Sequence, residues 1–250
     1  MSEQRNNEII YGRNGVLEAL KAGAPINKIL YSGEQKGSMA AIMAKARDAH
    51  VMVSEVSKNK LAEITGTQNH QGVAAYVAPK EYASLEEILQ KAADRKEAPF
   101  IIVLDEIQDP HNLGAIIRTA DAVGAHGIVI PKRRSVQLTG TVSKTSAGAV
   151  EHIPVARVTN IPAALKELKQ AGLWVYGTDL TGETPFYGTD LKGPVALVIG
   201  SEGFGMGRLT KEQCDFILSI PMVGQVSSLN ASVAAGVVMY EIFKQRTQQA

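Results

Sequence analysis

Two short apolar runs near the end of the chain, Val195 to Ile199 and Phe216 to Ile220, constrain the fold more than any other feature. Both have strand length and strand composition. Each empties into a loop rich in glycine or polar residues, GSEGFGMG after the first and PMVGQVSSLN after the second. Open α/β sheets place their ligands in such loops, at the carboxyl ends of buried strands. The second loop opens a helix at Ser228, Leu229 and Asn230, whose body from Ala231 to Phe243 is almost wholly apolar. A helix of that kind is buried, against a sheet or against a partner chain.

Upstream, the same alternation is repeated twice. Residues 9 to 78 read as a small α/β layer: strand IIYG, a helix over 15 to 22 capped by Asn14, strand KILYS and a helix from Ser38. Strand VMVSEV follows, then a short helix to Ile64 capped by Ser57, and strand GVAAYVA closes the layer. The composition turns polar between Pro79 and Pro99, where Ser84 and Glu87 have capping-box spacing for a helix to about Arg95. The chain thus divides into a first domain over 1–78, a linker over 79–98 and a second domain over 99–250.

The second domain opens with the buried-strand run FIIVLDEI, and Asn112 stands at the natural N-cap of the helix LGAIIRTADAVGA. In that helix Leu113, Ile116, Ile117 and Ala120 form the apolar stripe, with Arg118 off it. GIVI is a parallel strand ending in Lys132, Arg133 and Arg134. TVSKTSAGAVE reads as a helix, IPVARV as a strand, 160 to 171 as a helix and LWVYGT as a strand. This order predicts a mainly parallel sheet with helices on both faces.

A chain of 250 residues with 45% hydrophobic content can build a sizeable core. It opens with MSEQRNNE rather than a charged and then apolar leader, and no run reaches the roughly 18 apolar residues of a membrane span. The expectation is a cytoplasmic protein without a membrane partner. Cys214 is the only cysteine, which excludes an internal disulfide and a thiolate metal cage and reads as a small buried hydrophobe. The five histidines show no ligand spacing, so no metal is expected. A net charge of +1 does not advertise a polyanion partner, which local patches would have to meet. The glycine-rich loop matches neither the P-loop pattern nor a dinucleotide turn with an acid about 20 residues on, and by itself it says only that a backbone turns tightly or comes close to something.

Three stretches taken together carry more. LDEIQDPHNLGAIIRTADAVGAHGIVI, LVIGSEGFGMG and ILSIPMVGQVSSLNASVAAGVVMYEI resemble, in order and spacing, the three motifs of the SpoU, or TrmH, family of RNA 2′-O-methyltransferases. The N-terminal IIYGRNGVLEAL and NHQGVAAYV resemble the ribosomal-protein-like RNA-binding domain that some members carry, and no motif position departs from the family pattern. Within the family, the whole chain is most similar to the bacterial enzymes that methylate a guanosine of 23S rRNA.

The resemblance implies a SPOUT fold, a parallel α/β sheet whose C-terminal segment forms a deep trefoil knot. It implies a homodimer with large-subunit 23S rRNA as substrate and S-adenosylmethionine as cofactor. It assigns the cofactor to loops 198–205 and 218–231, around Ile199, Gly200, Gly203, Ile220, Met222, Ser228 and Leu229. It places Asn112, Arg118, Glu202, Ser228 and Asn230 in the active site, with the arginine as the agent that handles the hydroxyl proton. A guanidinium is effectively always protonated, so two roles stay open for Arg118: an unusual base, or a cation that holds the target phosphate and stabilises the developing alkoxide. Arg13, Asn14, Lys132, Arg133 and Arg134 are candidates for RNA phosphates.

Each residue also has a plain structural reading, as a helix cap, a surface ion pair or a solvated loop charge. Other functions remain in view: methylation of a tRNA ribose, RNA binding without catalysis, and a nucleotide-dependent oxidoreductase, which would need the acid that the glycine turn lacks.

Overall fold

The computed structural model describes residues 8–21, 23–34, 36–77, 81–225 and 228–248. The proposed boundary at 78, residues 79 and 80 of the linker, and residues 226 and 227 of the second cofactor loop lie outside them. The chain divides into two compact units between Glu81 and Tyr82.

The first unit is a four-stranded sheet in the order β1-β4-β2-β3, made of β1 (Glu8–Tyr11), β2 (Ile26–Tyr31), β3 (Met52–Glu55) and β4 (Val73–Val77). β4 runs antiparallel to both neighbours, and β2 and β3 are parallel. Ile29 packs on one face with Val16 of α1 (Arg13–Lys21) and with Met39 and Ile42 of α2 (Ser38–Asp48). Leu30 packs on the other with Leu61 of α3 (Lys58–Thr65), whose N-cap is Ser57, accepting from the Lys60 N–H at 3.2 Å. Neighbouring strand residues thus serve opposite layers, as the pleat requires.

α1 begins at Arg13, so Asn14 is inside the helix and not its cap. The cap comes from far along the chain: Gln71 Oε1 accepts the Arg13 N–H at 3.0 Å. Gly12, at φ +85°, accepts the first intrahelical bond from Val16.

The second unit is a seven-stranded parallel sheet in the order β7-β6-β5-β10-β8-β11-β9. Its strands are β5 (Phe100–Leu104), β6 (Gly127–Pro131), β7 (Val155–Val158), β8 (Trp174–Thr178), β9 (Thr184–Pro185), β10 (Val195–Ile199) and β11 (Phe216–Ser219). The chain steps outward from β5 to β7, crosses to β8, and later returns to lay β10 between β5 and β8. The winding direction therefore switches where β5 and β10 are neighbours, and sheets of this kind bind their ligands at the carboxyl ends of such a pair.

β5 and β10 are buried along their whole length, because both faces of the sheet are covered. Phe100, Ile102 and Leu104 meet α5 (Pro110–Ala122) and α9 (Ala231–Thr247) on one face. Ile101 and Val103 meet α4 (Leu85–Arg95) and α7 (Ile161–Gln170) on the other.

Two expectations change here. The segment read as a linker is part of this second unit: Ala83 bridges to Ala156, and Leu85 and Ile88 enter the core. A β-carbon on Gly127 would lie 2.6 Å from Ile88, so glycine there lets α4 approach the sheet. The capping box of Ser84 and Glu87 is complete in both directions. The helix expected over 141 to 151 is broken into α6 (Gly140–Thr145) and a 3₁₀ turn at Ala149–Glu151, because Ala147 and Gly148 take positive φ. α8 (Arg208–Lys211) is a single turn after the β10 loop. Among the described residues, no helix is long and apolar enough to cross a membrane.

Candidate active site

The site is built where β5 and β10 end. The pairing of these strands runs one residue beyond them, with the Asp105 N–H donating to the Ile199 carbonyl at 2.9 Å. Asp105 is buried, and its Oδ2 accepts the Gly207 N–H at 2.8 Å, which fixes the far end of the glycine loop. Within the loop Ser201 and Gly205 exchange backbone hydrogen bonds, each 2.9 Å. Gly203 and Gly205 supply positive φ, and a β-carbon on Gly200 would fall 2.3 Å from the Gly205 carbonyl carbon. The loop is therefore a tight closure packed on its own base, and it pushes Glu202 and Phe204 outward; Phe204 is 97% exposed.

Glu202 is the point of convergence. Its Oε1 accepts from Asn112 Nδ2 at 2.9 Å, from the Ala231 N–H at 3.2 Å and from Asn230 Nδ2. Asn230 Nδ2 also donates to Asn112 Oδ1 at 3.0 Å. Asn230 is at the same time the N-cap of α9, its Oδ1 accepting from the N–H groups of Ser232 and Val233. A carboxylate thus lies at the N-termini of α5 and α9, where the helix dipoles and unpaired N–H groups favour negative charge.

Asn112 does not cap α5. Asp109 does, accepting from the His111 N–H at 3.1 Å, with Pro110 in the first turn where its missing N–H is harmless. The helix starts early enough to bury Asn112 and turn its amide toward Glu202.

The remaining candidates fall outside this junction. Arg118 is exposed on α5 and has no hydrogen bond or ion pair among the described residues; its neighbour Thr119 lies against Gly236 of α9. Ser228 is exposed ahead of α9, and Leu229 is half-buried. Ile199 is buried in β10, Ile220 is half-buried against the core and Met222 is exposed. Lys132, Arg133 and Arg134 are exposed after β6, and Arg134 pairs with Glu106 at 3.2 Å. Arg13 and Asn14 belong to the first unit, where Arg13 Nε donates to the Gln71 carbonyl at 3.2 Å.

Sequence reasoning missed Asp105 and Phe204. An acid directly after a fully apolar strand was the available signal for the first; an aromatic amid glycines was the signal for the second. Cys214 packs beside Met206 and Gly177, and burial pushes its thiol up to about 12. It is protonated at neutral pH and unfit as a nucleophile.

Comparison with known proteins gives the family. A family described as the SpoU rRNA Methylase family matches residues 99–240, and one described as RNA 2′-O ribose methyltransferase substrate binding matches residues 9–83. A protein of Bacillus subtilis (strain 168), YacO, named for the TrmH family of tRNA/rRNA methyltransferases, is 51% identical over 247 residues, 98% of each chain. The SpoU methyltransferase AviRb from Streptomyces viridochromogenes, in complex with the cofactor AdoMet, superposes with a TM-score of 0.71 at 26% identity, covering 98% of this chain and 95% of its own. An AdoMet-bound rRNA methyltransferase from Sinorhizobium meliloti gives 0.69 at 29% identity, over 97% and 88%. With its glycine loop and last helix joined through Glu202, and with this likeness along nearly its whole length, the chain belongs to the SpoU, or TrmH, family of RNA methyltransferases.

Proposed function

We propose that this protein methylates the ribose 2′-hydroxyl of a guanosine in the 23S rRNA of the large ribosomal subunit, as a cytoplasmic homodimer. The coarser activity is that of its family, S-adenosylmethionine-dependent RNA 2′-O-methylation. The observation that carries the reading is the junction of Asn112, Glu202 and Asn230, which ties the three motif segments together at the switch point of the sheet.

The residues at the strand ends suit an adenosine-bearing cofactor. Ile220 and Leu229 are half-buried and Met222 is exposed, so apolar side chains are available to a purine ring beside backbone groups that can orient it. Ile199, Gly200, Gly203 and Ser228 complete the set that would hold it. Bound there, S-adenosylmethionine supplies an electrophilic methyl group. The chain's own part is alignment: Glu202, anchored by two asparagines and a backbone N–H, fixes the glycine loop against α9, and a small misplacement of reacting groups costs rate steeply.

Arg118 supplies a permanent cation on the exposed side of α5. It suits either the phosphate of the target nucleotide or the charge that develops as the hydroxyl proton leaves. Lys132, Arg133, Arg13 and Asn14 are proposed contacts of the RNA, together with Arg134 once released from Glu106.

The apolar last helix supports the dimer. Ala235, Val238, Met239 and Ile242 are buried in the chain's own core, while Val233, Val237, Tyr240 and Phe243 form an exposed stripe on the opposite side. A partner chain is what such a stripe needs. Threading of the C-terminal segment into a trefoil knot is likewise proposed. Its support is the return of the chain from β11, near the sheet edge, to Glu202 and Asn112 at the centre.

The test is to map 2′-O-methyl groups in RNA from cells with and without the gene. Loss at one guanosine of 23S rRNA is expected. Loss at a tRNA ribose would replace the substrate, and no loss anywhere would leave an RNA-binding protein without this reaction. With purified protein, Arg118→Ala should nearly abolish transfer while cofactor affinity stays within a few-fold. Substantial rescue by Arg118→Lys would assign the arginine a simple charge role, because lysine lacks the planar fork.

A further inference from the structure

The first unit contains an open cleft of about 840 Å³ that the methyl-transfer site does not use, lined by Arg13, Ser32, Lys58, Gln68, His70 and Gln71 among others. Its lining holds two cations, several neutral donors and no carboxylate. It also holds no aromatic ring apart from the imidazole. Arg13 is fixed by Gln71 and by Ser38, whose Oγ accepts from Nη1 at 3.3 Å, and its Nη2 has no partner among the described residues. The walls are tied together: Ser32 N–H donates to the Gly72 carbonyl at 2.9 Å, and Gly12 N–H to the Val73 carbonyl at 3.1 Å.

His70, one of the residues that line this cleft, is fully buried. Its Nδ1 accepts the Gly72 N–H at 3.0 Å, which places the proton of the neutral ring on Nε2. That Nε2 has no hydrogen-bond partner among the described residues. A buried donor left unpaired destabilises a fold, and native proteins rarely keep one without a purpose. Gly72 holds the arrangement in place, at φ +78° and with a β-carbon position 2.9 Å from the Ser32 carbonyl oxygen, so the turn that presents His70 admits only glycine without rearrangement.

Two cations, a buried donor and no acid in one lining call for an anionic ligand that also carries a hydrogen-bond acceptor. Resting on the reading of the chain as an RNA methyltransferase, we propose that the cleft takes one unstacked nucleotide of the substrate RNA. Arg13 and Lys58 hold its phosphate, and His70 Nε2–H donates to an acceptor on its base. Recognition here is by charge and hydrogen bonding rather than by stacking.

The test uses the full chain and single-stranded RNA dodecamers of each base, with affinity measured across a salt series. His70→Asn keeps an acceptor for the Gly72 N–H and removes the Nε2 donor; it should weaken binding about tenfold for the preferred base and less for the others. Lys58→Gln should lower the salt dependence by about one phosphate's worth. Unchanged affinity and salt slope in Lys58→Gln, an exposed position that does not endanger the fold, would overturn the proposal, as would unchanged base preference in a folded His70→Asn protein. Methyl transfer separates the two readings. Wild-type transfer with an unaltered KM for RNA in both variants removes the cleft and keeps the activity. Cleft-dependent RNA binding by a protein that transfers no methyl group keeps the cleft and removes the activity.

Discussion

Two histidines, one in each unit, are buried to the same degree and differ in one bond. His70 and His126 are 0% and 1% exposed, and in each Nδ1 accepts a backbone N–H at 3.0 Å, from Gly72 and from Phe100. In the second unit the other nitrogen of His126 meets Glu97 at 3.0 Å; in the first, the other nitrogen of His70 meets nothing among the described residues. The same contrast separates the glycine-loop junction from the cleft. Glu202 is answered by three donors of its own chain, whereas the cleft lined by His70 keeps a buried donor unanswered among the described residues. The buried Arg246 Nε also has no partner among the described residues, yet its other nitrogens bind the carbonyls of Ala98, Pro99 and Gly193, and its guanidinium lies over the Phe100 ring. A self-satisfied polar cluster holds geometry; one with a donor to spare keeps bonding capacity that a ligand can use.

The largest effect should come from breaking the self-satisfied cluster. Glu202→Ala leaves the amides of Asn112 and Asn230 and the Ala231 N–H without their common acceptor, and the first turn of α9 loses its tie to the glycine loop. Methyl transfer should fall by about 100-fold or more, while binding of RNA by the first unit stays at the wild-type level. Transfer assays with a labelled methyl donor, run beside RNA-binding measurements, read both. Equal loss of RNA binding would mean that the two regions are not the separate devices their chemistry describes.

The next effect concerns the outer face of α9. Val237→Asp puts a charge in the middle of the exposed apolar stripe without touching the residues buried in the core. The wild type should sediment as a dimer at micromolar concentration, and the variant as a monomer. A wild-type protein that is monomeric and active would refute the dimer.

A third and smaller effect tests how tightly the glycine loop is packed. Gly200→Ala forces a methyl group into the Gly205 backbone, so the loop must open or shift, at a cost of about 1–3 kcal/mol in stability. Gly224→Ala, where nothing lies within 4 Å, is the control and should unfold at the wild-type temperature.

Most of the framework was legible in the sequence because its signals are local. The runs at 100–104 and 195–199 are buried on both faces and read as unbroken apolar strands, and Ser57, Ser84 with Glu87, and Asn230 announce helix starts at the expected spacing. Failures occurred where a local signal had two readings or a partner was distant. Asn112 and Asp109 are both good caps, and only Pro110, suited to the first helical turn, decides between them. The cap of α1 is Gln71, 58 residues from Arg13, and β9 has two residues and no periodicity to detect. The junction itself joins residues 90 and 118 positions apart, which no spacing rule connects; family resemblance singled out the three residues, and folding brings them into contact.

The smallest effect returns to the paired histidine. Burial disfavours the charged ring of His126 and lowers its pKa, and the bond to Glu97 offsets only part of that shift. The folded state therefore binds the proton less readily than the unfolded chain, whose histidine titrates near about 6.5. A depressed value contributes stability that is fully present above the unfolded pKa and is lost as pH falls through it. The midpoint of thermal unfolding of the second unit should decline between about pH 6.5 and pH 5, before the carboxylates titrate. His126→Asn can keep an acceptor for the Phe100 N–H but has no proton to take up, so its unfolding curve should be flatter across that window, though lower overall for the lost Glu97 contact. An unaltered slope in this variant would mean that the loss of stability on acidification arises elsewhere, and the pairing with Glu97 would then be an architectural contact without a titration of its own.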